Sequence, residues 1–513
     1  MTSLPGPDTL TPERVDVRLV PAALTSWIVT AAGIVWPVGR VIAALGVILG
    51  AVSAALLWWA GRGATWARAV GVATIAAGAV GVGFGIAITL RTEAVRHHPI
   101  TAAFGTTAQV TVTPTESALA VGGSRMMFRA KLQRLGPHEI SGRVVVFART
   151  PGFADIIVGQ PVHFTARISR PTRHDLTVAV LNATGEPTRS QAGPVPRAAH
   201  TVRDRFASAA REVLPPQQAA ILPALVLGDT SAIPAMTNHD FRVAGLTHLT
   251  AVSGANVTIV CGAVLFSARL VGPRTAVGLA AVALVAFVIV VQPTASVLRA
   301  AVMGAIALLG MLSARRRPAV PALSATVLVV MVGAPHLAVD AGFALSVVAT
   351  AALVVIAPVW SRRMVARGWP KPLADALGIA WAAQVVTAPL VAGISGRVSL
   401  VGAAANLAVA VVIAPITVLG SAAAALCVIW PVGASVLIRF TGPELWWVLS
   451  IAHWSASIPT ASIPVPAGLV GVLVVGGGAV VIVVLWRWAW FRAAIAIGVV
   501  CLLSWSLSGL LTK

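Results

Sequence analysis

The chain has 513 residues, of which 58% are apolar and 10% charged, and its mean hydropathy is +0.90. Soluble domains carry about a quarter of their residues as charges, so an ordinary soluble globular protein is excluded and a bilayer is the natural solvent. The net charge of +21, from 34 Arg and 3 Lys against 16 acidic residues, favours anionic partners: nucleic acid, or lipid headgroups.

Three apolar segments come first, at 22–39, 41–60 and 67–90. Each is long enough to cross a hydrocarbon core about 30 Å thick. Asp8, Glu13 and Asp16 precede the first segment, a poor match to a cleavable signal peptide, so that helix is expected to be retained. Residues 91–215 break the pattern with sixteen Arg or Lys against eight Asp or Glu. Alternating runs at 109–113, 125–132, 143–147, 162–168 and 176–181, separated by turn-rich pieces such as "TPTES", "LGPHE" and "TPGFAD", predict about five short strands. Five strands in so short a stretch suit a small barrel, with an OB-like fold the leading candidate.

Apolar segments resume at 249–271, 275–292, 296–313, 319–333, 341–360, 375–393 and 399–428, then at 432–457, 467–486 and 491–511. The expected fold class is therefore a polytopic α-helical membrane protein of about 11–13 spans with an inserted small β-barrel domain. Four regions follow: N-terminal transmembrane helices (1–90), an extracytoplasmic β-rich domain (91–215), a central transmembrane domain (216–430) and C-terminal transmembrane helices (431–513). Arg315, Arg316 and Arg317, and two segments later Arg362, Arg363, Arg367 and Lys371, set the orientation by positive charge on the cytoplasmic side. With Arg274 and the Arg62–Arg68 loop in the same phase, the N-terminus is cytoplasmic and the β-rich domain outside. Cys261, Cys427 and Cys501 lie far apart in apolar stretches and imply neither a disulfide framework nor a zinc site; no cofactor or metal is expected.

Polar groups within or beside spans are costly unless they meet water or one another. The densest such stretch, "LGDTSAIPAMTNHDFRVAGLTHLTAVSGANV" at 227–257, sets Asp229, Asp240, Arg242 and His248 before an apolar helix and Thr250, Ser253, Gly254 and Asn256 in its expected first turns. Arg299 and Asp340 occupy the outer ends of two further spans, with Ser346 and Thr350 continuing one face from Asp340. Gln384 lies in another span, and Asn406 precedes Pro415 in a segment long enough to be a broken helix. Each is a candidate lining residue for a hydrated cavity. The competing reading is interfacial snorkelling or structural hydrogen bonding between helices, which is favoured for Glu444, Arg439 and His453.

The pieces "ALVLGDTSAI", "FRVAGLTHLTAVSGANV", "PTASVLRAAVMGAIALLGMLSARRRP", "DAGFALSVVAT" and "VSLVGAAANLAVAVVIAP" occur in the order of the signature segments of ComEC proteins, and over about 220–430 the chain resembles that family's competence domain. The resemblance implies a non-enzymatic cytoplasmic-membrane channel that admits single-stranded DNA during natural transformation. The matching polar positions are Asp229, His248, Ser253, Asn256, Arg299, Asp340 and Ser346. It also implies partners: single-stranded DNA, membrane lipid, a DNA receptor outside and a cytoplasmic DNA motor or strand-binding protein, with homo-oligomerisation an open expectation. Many family members add a metallo-β-lactamase-like domain. Here the ten His are scattered without an H-x-H-x-D-H or H-E-x-x-H spacing, and no nuclease activity is expected of this polypeptide.

Moving DNA inward against an inside-negative potential costs about 2.3 kcal/mol per charge per 100 mV. Lys131, Lys371 and Lys513 follow Ala130, Pro370 and Thr512, so no Gly-Lys-Ser/Thr P-loop exists and another protein must drive transport. On the β-rich domain, Arg125, Arg129, Lys131, Arg134, Arg143 and Arg149 are candidates for pairing phosphates, and Phe128 and Phe147 for stacking bases where they project outward; the competing reading places the rings in the barrel core. Two rivals remain. An ion-coupled small-solute transporter would use Arg299 and Asp340 as a buried couple and the Asn406–Pro415 segment as a discontinuous helix. An intramembrane serine hydrolase would use Ser253 with His248 or His453 as base.

Overall fold

The computed structural model describes residues 16–36, 65–250, 252–312 and 319–485, with a few isolated positions elsewhere. Most of the run at 41–60, Arg62, the Arg315–Arg317 cluster and the segment at 491–511 lie outside the described residues. Two apolar helices open the fold, α1 (Val20–Val35) and α2 (Thr65–Arg96). They approach closely where Gly33 meets Ile88: a Cβ at Gly33 would lie 2.5 Å from that side chain.

The chain then builds β1 (Thr107–Pro114), β2 (Leu119–Gly122), β3 (Arg125–Leu135), β4 (His138–Arg149), β5 (Val162–Ser169) and β6 (Ala179–Arg189). Five of these run in the order β1-β5-β6-β4-β3 and close into a barrel through β1–β3 pairing; β2 is appended to β3. All barrel pairings are antiparallel except β4–β6, which is parallel. Strict alternation sends Met126, Phe128, Ala130 and Leu132 of β3 and Val144, Val146 and Ala148 of β4 into the core. A single helical turn, Thr150–Phe153, drives Phe153 into the barrel, its ring 5.3 Å from and edge-on to Phe164. The last strand starts at Ala179, later than the expected 176. Leu176 has φ 64° and the Asp175 carboxylate accepts from the Thr177 N–H, so these residues form a turn.

After the barrel, α3 (Pro194–Val213) turns Ala199, Arg203, Phe206 and Ala210 inward at helical spacing. Next come α4 (Pro216–Leu227), α5 (Ala235–Val243) and α6 (Gly254–Ala268). A 3₁₀ turn at Thr247–Leu249 precedes α6, so Thr250 and Ser253 precede the helix, whereas the sequence pattern placed them inside its first turns. The chain continues through α7 (Pro273–Val291), α8 (Ala295–Leu312), α9 (Ala319–Gly333), α10 (Ala341–Val365) and α11 (Lys371–Ser395). It ends with β7 (Arg397–Ser399), α12 (Gly402–Leu426), α13 (Pro431–Phe440), α14 (Gly442–Ser457), β8 (Ser462–Pro464) and α15 (Leu469–Leu485).

Among the described residues, seven helices are long and apolar enough to cross a membrane, in α2, α6, α7, α8, α10, α11 and α12. α1, α4, α9, α13 and α15 are apolar but shorter; the 15 residues of α9 rise only about 22 Å. The stretch at 432–457 is two helices, because Pro443 can begin a helix but not continue one. The expected break in α12 is a correction: the helix runs unbroken through Pro415. The interruption falls instead in α10, as a π-helical turn at Ala352–Ile356, which ends two residues before Pro358, a residue with no N–H to give the ladder.

One core joins α3 to α8 and α12 to α14 through residues such as Phe206, Leu222, Phe241, Leu284, Val409 and Leu445. A second packs α1 and α2 against α9 and α10 around Phe343.

Candidate functional site

The end of α4 organises half of the 227–257 stretch. Its last carbonyls have no partner within the helix, and Gly228, at φ 72°, turns the chain away. The amide of Asn256, a residue 4% exposed, donates to the Leu225 carbonyl at 2.9 Å. Arg203 donates through Nη1 to the Leu227 carbonyl (2.8 Å) and to the Val290 carbonyl at the end of α7 (3.2 Å). Its Nη2 lies 3.6 Å from Asp229 Oδ2, while Asp229 Oδ1 accepts from the N–H and hydroxyl of Ser231. Burial lowers the Arg203 pKa and Asp229 opposes that shift. Arg203 was missed in the sequence; its signal is an arginine on the apolar stripe of α3.

Asp240 on α5 reaches α14, where its Oδ2 lies 3.1 Å from His453 Nδ1. Arg242 is exposed. The turn after α5 is pinned by Gly245, whose φ of 71° and close approach to Gly402 leave no room for a side chain, and by the Ser399 hydroxyl donating to the Val243 carbonyl. Gln384 donates to the Ser399 carbonyl at 3.3 Å, and Asn406 is half-buried on α12. His248 is exposed, and desolvation by the surrounding protein, the larger influence, lowers its pKa against a backbone hydrogen bond at Gly245. A small cavity, large enough for about one water, is lined by Leu225, Leu249, Ser253, Asn256, Ile413, Ile416 and Thr417.

The second nest lies where α6, α8 and α10 meet. Arg299, 6% exposed, donates through Nε to Ser346 Oγ at 2.6 Å and through Nη1 to Met303 Sδ at 3.1 Å. Ser346 also lies 3.3 Å from Ser296 Oγ. Nη2 faces the start of α6, where a Cβ on Gly254 would come within 2.7 Å of it. Asp340 is not its partner: that carboxylate caps α10, accepting from the Phe343 N–H at 2.8 Å. Among the described residues no carboxylate forms an ion pair with Arg299. The buried Arg299–Asp340 couple is thus a correction. Ser253 donates to Asn256 Oδ1 at 3.3 Å and His453 engages Asp240; among the described residues neither His248 nor His453 hydrogen-bonds to the serine.

The barrel contacts this region. Ser117 Oγ donates to Gln292 Oε1, between α7 and α8, at 2.8 Å, and Leu176 packs on the core around Phe343. Arg143 is half-buried, with Nη1 enclosed and lacking a hydrogen-bond partner. Burial, then Arg129, lower its pKa, against the pull of Asp175, Glu116 and Asp340. Asp340 is thus near enough to Arg143 to be felt electrostatically, the weakest of these influences, while its own carboxylate is engaged at the start of α10.

The sequence-predicted DNA contacts divide. Arg125, Lys131, Arg134 and Arg149 are exposed, and Arg129 pairs with Glu116 at 2.9 Å. Lys131 stands directly opposite Arg143, and Arg125 opposite Arg149. Phe147 is half-buried with the Arg125 guanidinium 6.0 Å from its ring. Phe128 is a correction: it is 2% exposed in the barrel core, because it holds an inward position of β3, and offers no face to a base. Among the described residues no cluster of three His, Cys, Asp or Glu side chains could hold a metal ion.

Seven apolar helices with a small barrel packed on one end define a polytopic helical membrane protein. A family model described as Competence protein matches residues 225–490, just over half of the chain, and the chain belongs to that family. It takes in the end of α4, α5 to α15, and both nests except Arg203. No curated protein and no solved structure matches the chain.

Proposed function

We propose that this protein is a ComEC-type channel of the cytoplasmic membrane that admits single-stranded DNA during natural transformation. Membership of the competence family supports a role in DNA uptake. The observation that carries the finer reading is the buried nest of Ser296, Ser346 and Arg299 against the start of α6 at Gly254, with the barrel fastened to the helices nearby by the Ser117–Gln292 hydrogen bond. Such groups are expensive in lipid and tolerable along a hydrated route. A buried guanidinium without a carboxylate is suited to meeting phosphates as they pass.

In strand sequence the barrel runs first, fourth, fifth, third, second and back to the first, with the third and fifth parallel. This order supports an OB-like domain, a fold used for single strands. Two like-charge pairs stand across β3 and β4, an arrangement that costs stability and that an anionic strand would relieve. The proposed topology keeps the N-terminus cytoplasmic and the barrel outside, with transmembrane helices at 1–90, 216–430 and 431–513 around a 91–215 insert. The proposed lining set is Asp229, Asp240, Arg242, His248, Ser253, Asn256, Arg299, Asp340, Ser346 and Asn406, structural roles included. A receptor outside and a motor or strand-binding protein inside complete the system.

The test is deletion of the gene followed by measurement of uptake of selectable and fluorescent DNA, with complementation by wild type and by Arg299→Met. Loss of uptake restored only by wild type is expected. Undiminished uptake in the deletion strain would remove the channel reading.

A further inference from the structure

A groove of about 600 Å³, open to solvent, lies away from the β3–β4 strip, where β5 ends and β6 begins beside the segment leading into β1. Its walls are Phe104, Gly105, Arg167, Ser169, Arg170 and Asn182. This is within the size range of ligand sites, about 300–1,000 Å³.

Three kinds of group converge there. The Phe104 ring is half-buried and seated on the barrel core, with the Arg170 guanidinium 5.7 Å from its centroid. Arg167 is exposed and stands opposite Thr107 on one side and Asn182 on the other, so no carboxylate faces it across either strand. Asn182 spends one amide hydrogen on Ser169 Oγ at 3.2 Å, leaving its Oδ1 without that bond. An anchored ring, two arginines and an amide edge match the flat face, phosphate and polar edge of a nucleotide. A lipid headgroup or a simple anion would use the arginines and leave the ring and amide idle.

We infer that this groove is a binding site for single-stranded nucleic acid on the barrel, with a base stacked at Phe104 between the ring and its surroundings and the flanking phosphates held by Arg167 and Arg170. The site rests on the uptake reading and deepens it. It separates a capture surface on β5–β6 from the β3–β4 face, where Arg143 stands opposite Lys131.

The test uses the full-length protein in nanodiscs of neutral lipid, with fluorescein-labelled single-stranded 20-mers either carrying bases or abasic. Wild type is expected to prefer the base-bearing strand. Phe104→Leu, which keeps an apolar group on the core, should erase most of that preference, a loss of about fivefold or more. Arg167→Ala with Arg170→Ala should weaken both strands about tenfold and reduce the slope of log affinity on log salt by about 1.4. Arg125→Ala with Arg149→Ala serves as the comparison on β3–β4. Equal affinity of wild type for the two strands, or unchanged binding by both groove variants, overturns the site. The two readings fail separately: groove variants that bind and take up DNA like wild type remove the groove and leave the channel. Uptake that survives gene deletion removes the channel, whatever the binding assay gives.

Discussion

Arg203 and Arg299 are both buried guanidiniums, and their surroundings differ in kind. Arg203 sits among two helix-end carbonyls and the Asp229 carboxylate, where the negative ends of α4 and α7 favour a cation. Arg299 has a hydroxyl, a thioether and the start of α6, the end of a helix that repels positive charge. A buried charge with a full set of partners is a fastening. One left without counter-charge is retained at a cost, and function is the natural reason for the retention.

The widest separation between the two nests is expected from truncation. Arg203→Ala leaves Asp229 without its cation and two carbonyls unfilled, and should cost about 3–5 kcal/mol, the range for breaking a buried pair, read as a large fall in melting temperature or as loss of folded protein in detergent. Arg299→Met should do the reverse on both axes. Replacing an unpaired buried cation by an apolar chain is neutral or stabilising in melting experiments, while transformation frequency falls at least about tenfold. Equal destabilisation by both substitutions would erase the distinction.

Gly254→Ala sharpens it further, since the added methyl forces the Arg299 guanidinium to move. Uptake should drop several-fold with a stability change of about 1 kcal/mol; uptake as in wild type would mean that the position of Arg299 does not matter. A smaller effect concerns pH. Desolvation holds the folded-state pKa of His248 below its ordinary 6.5, so the unfolded chain binds the proton more readily. Stability contributed by the neutral ring is present above about pH 6.5 and declines on acidification toward the lower folded value. His248→Gln should flatten that part of the melting-temperature profile against pH. Least is expected from Asp240→Asn: Asp240 is mostly buried but His453 is largely exposed, and a pair screened on one side is worth about 1 kcal/mol or less, so thermal melting should shift only slightly.

Much of the fold was legible in the chain because two periods differ so plainly. Among the described residues, continuous apolar runs gave helices within a few residues of their observed ends, and alternation over 125–132 and 143–147 marked β3 and β4. The misses have local causes. A left-handed Leu176 delayed β6, Pro443 split 432–457, and Pro415 was absorbed without a break while Pro358 followed a π turn. At the site, Asp229, Asn256, Arg299 and Asp340 stood out as polar residues in apolar surroundings. Arg203 did not, because in α3 it is one arginine among several, and only its inward angle sets it apart.

Composition and periodicity alone determined that this chain lives in a bilayer, that a basic β-domain interrupts its spans, and which polar residues need an explanation; those properties depend on each segment's own free energy of transfer. Partnership depended on the tertiary structure: Arg203 with Asp229 rather than Arg299 with Asp340, His453 with Asp240, and the barrel's Ser117 with Gln292. Electrostatic and hydrogen-bond energies fall off over a few ångströms, and residues separated by tens or hundreds of positions acquire such distances only when the chain has folded.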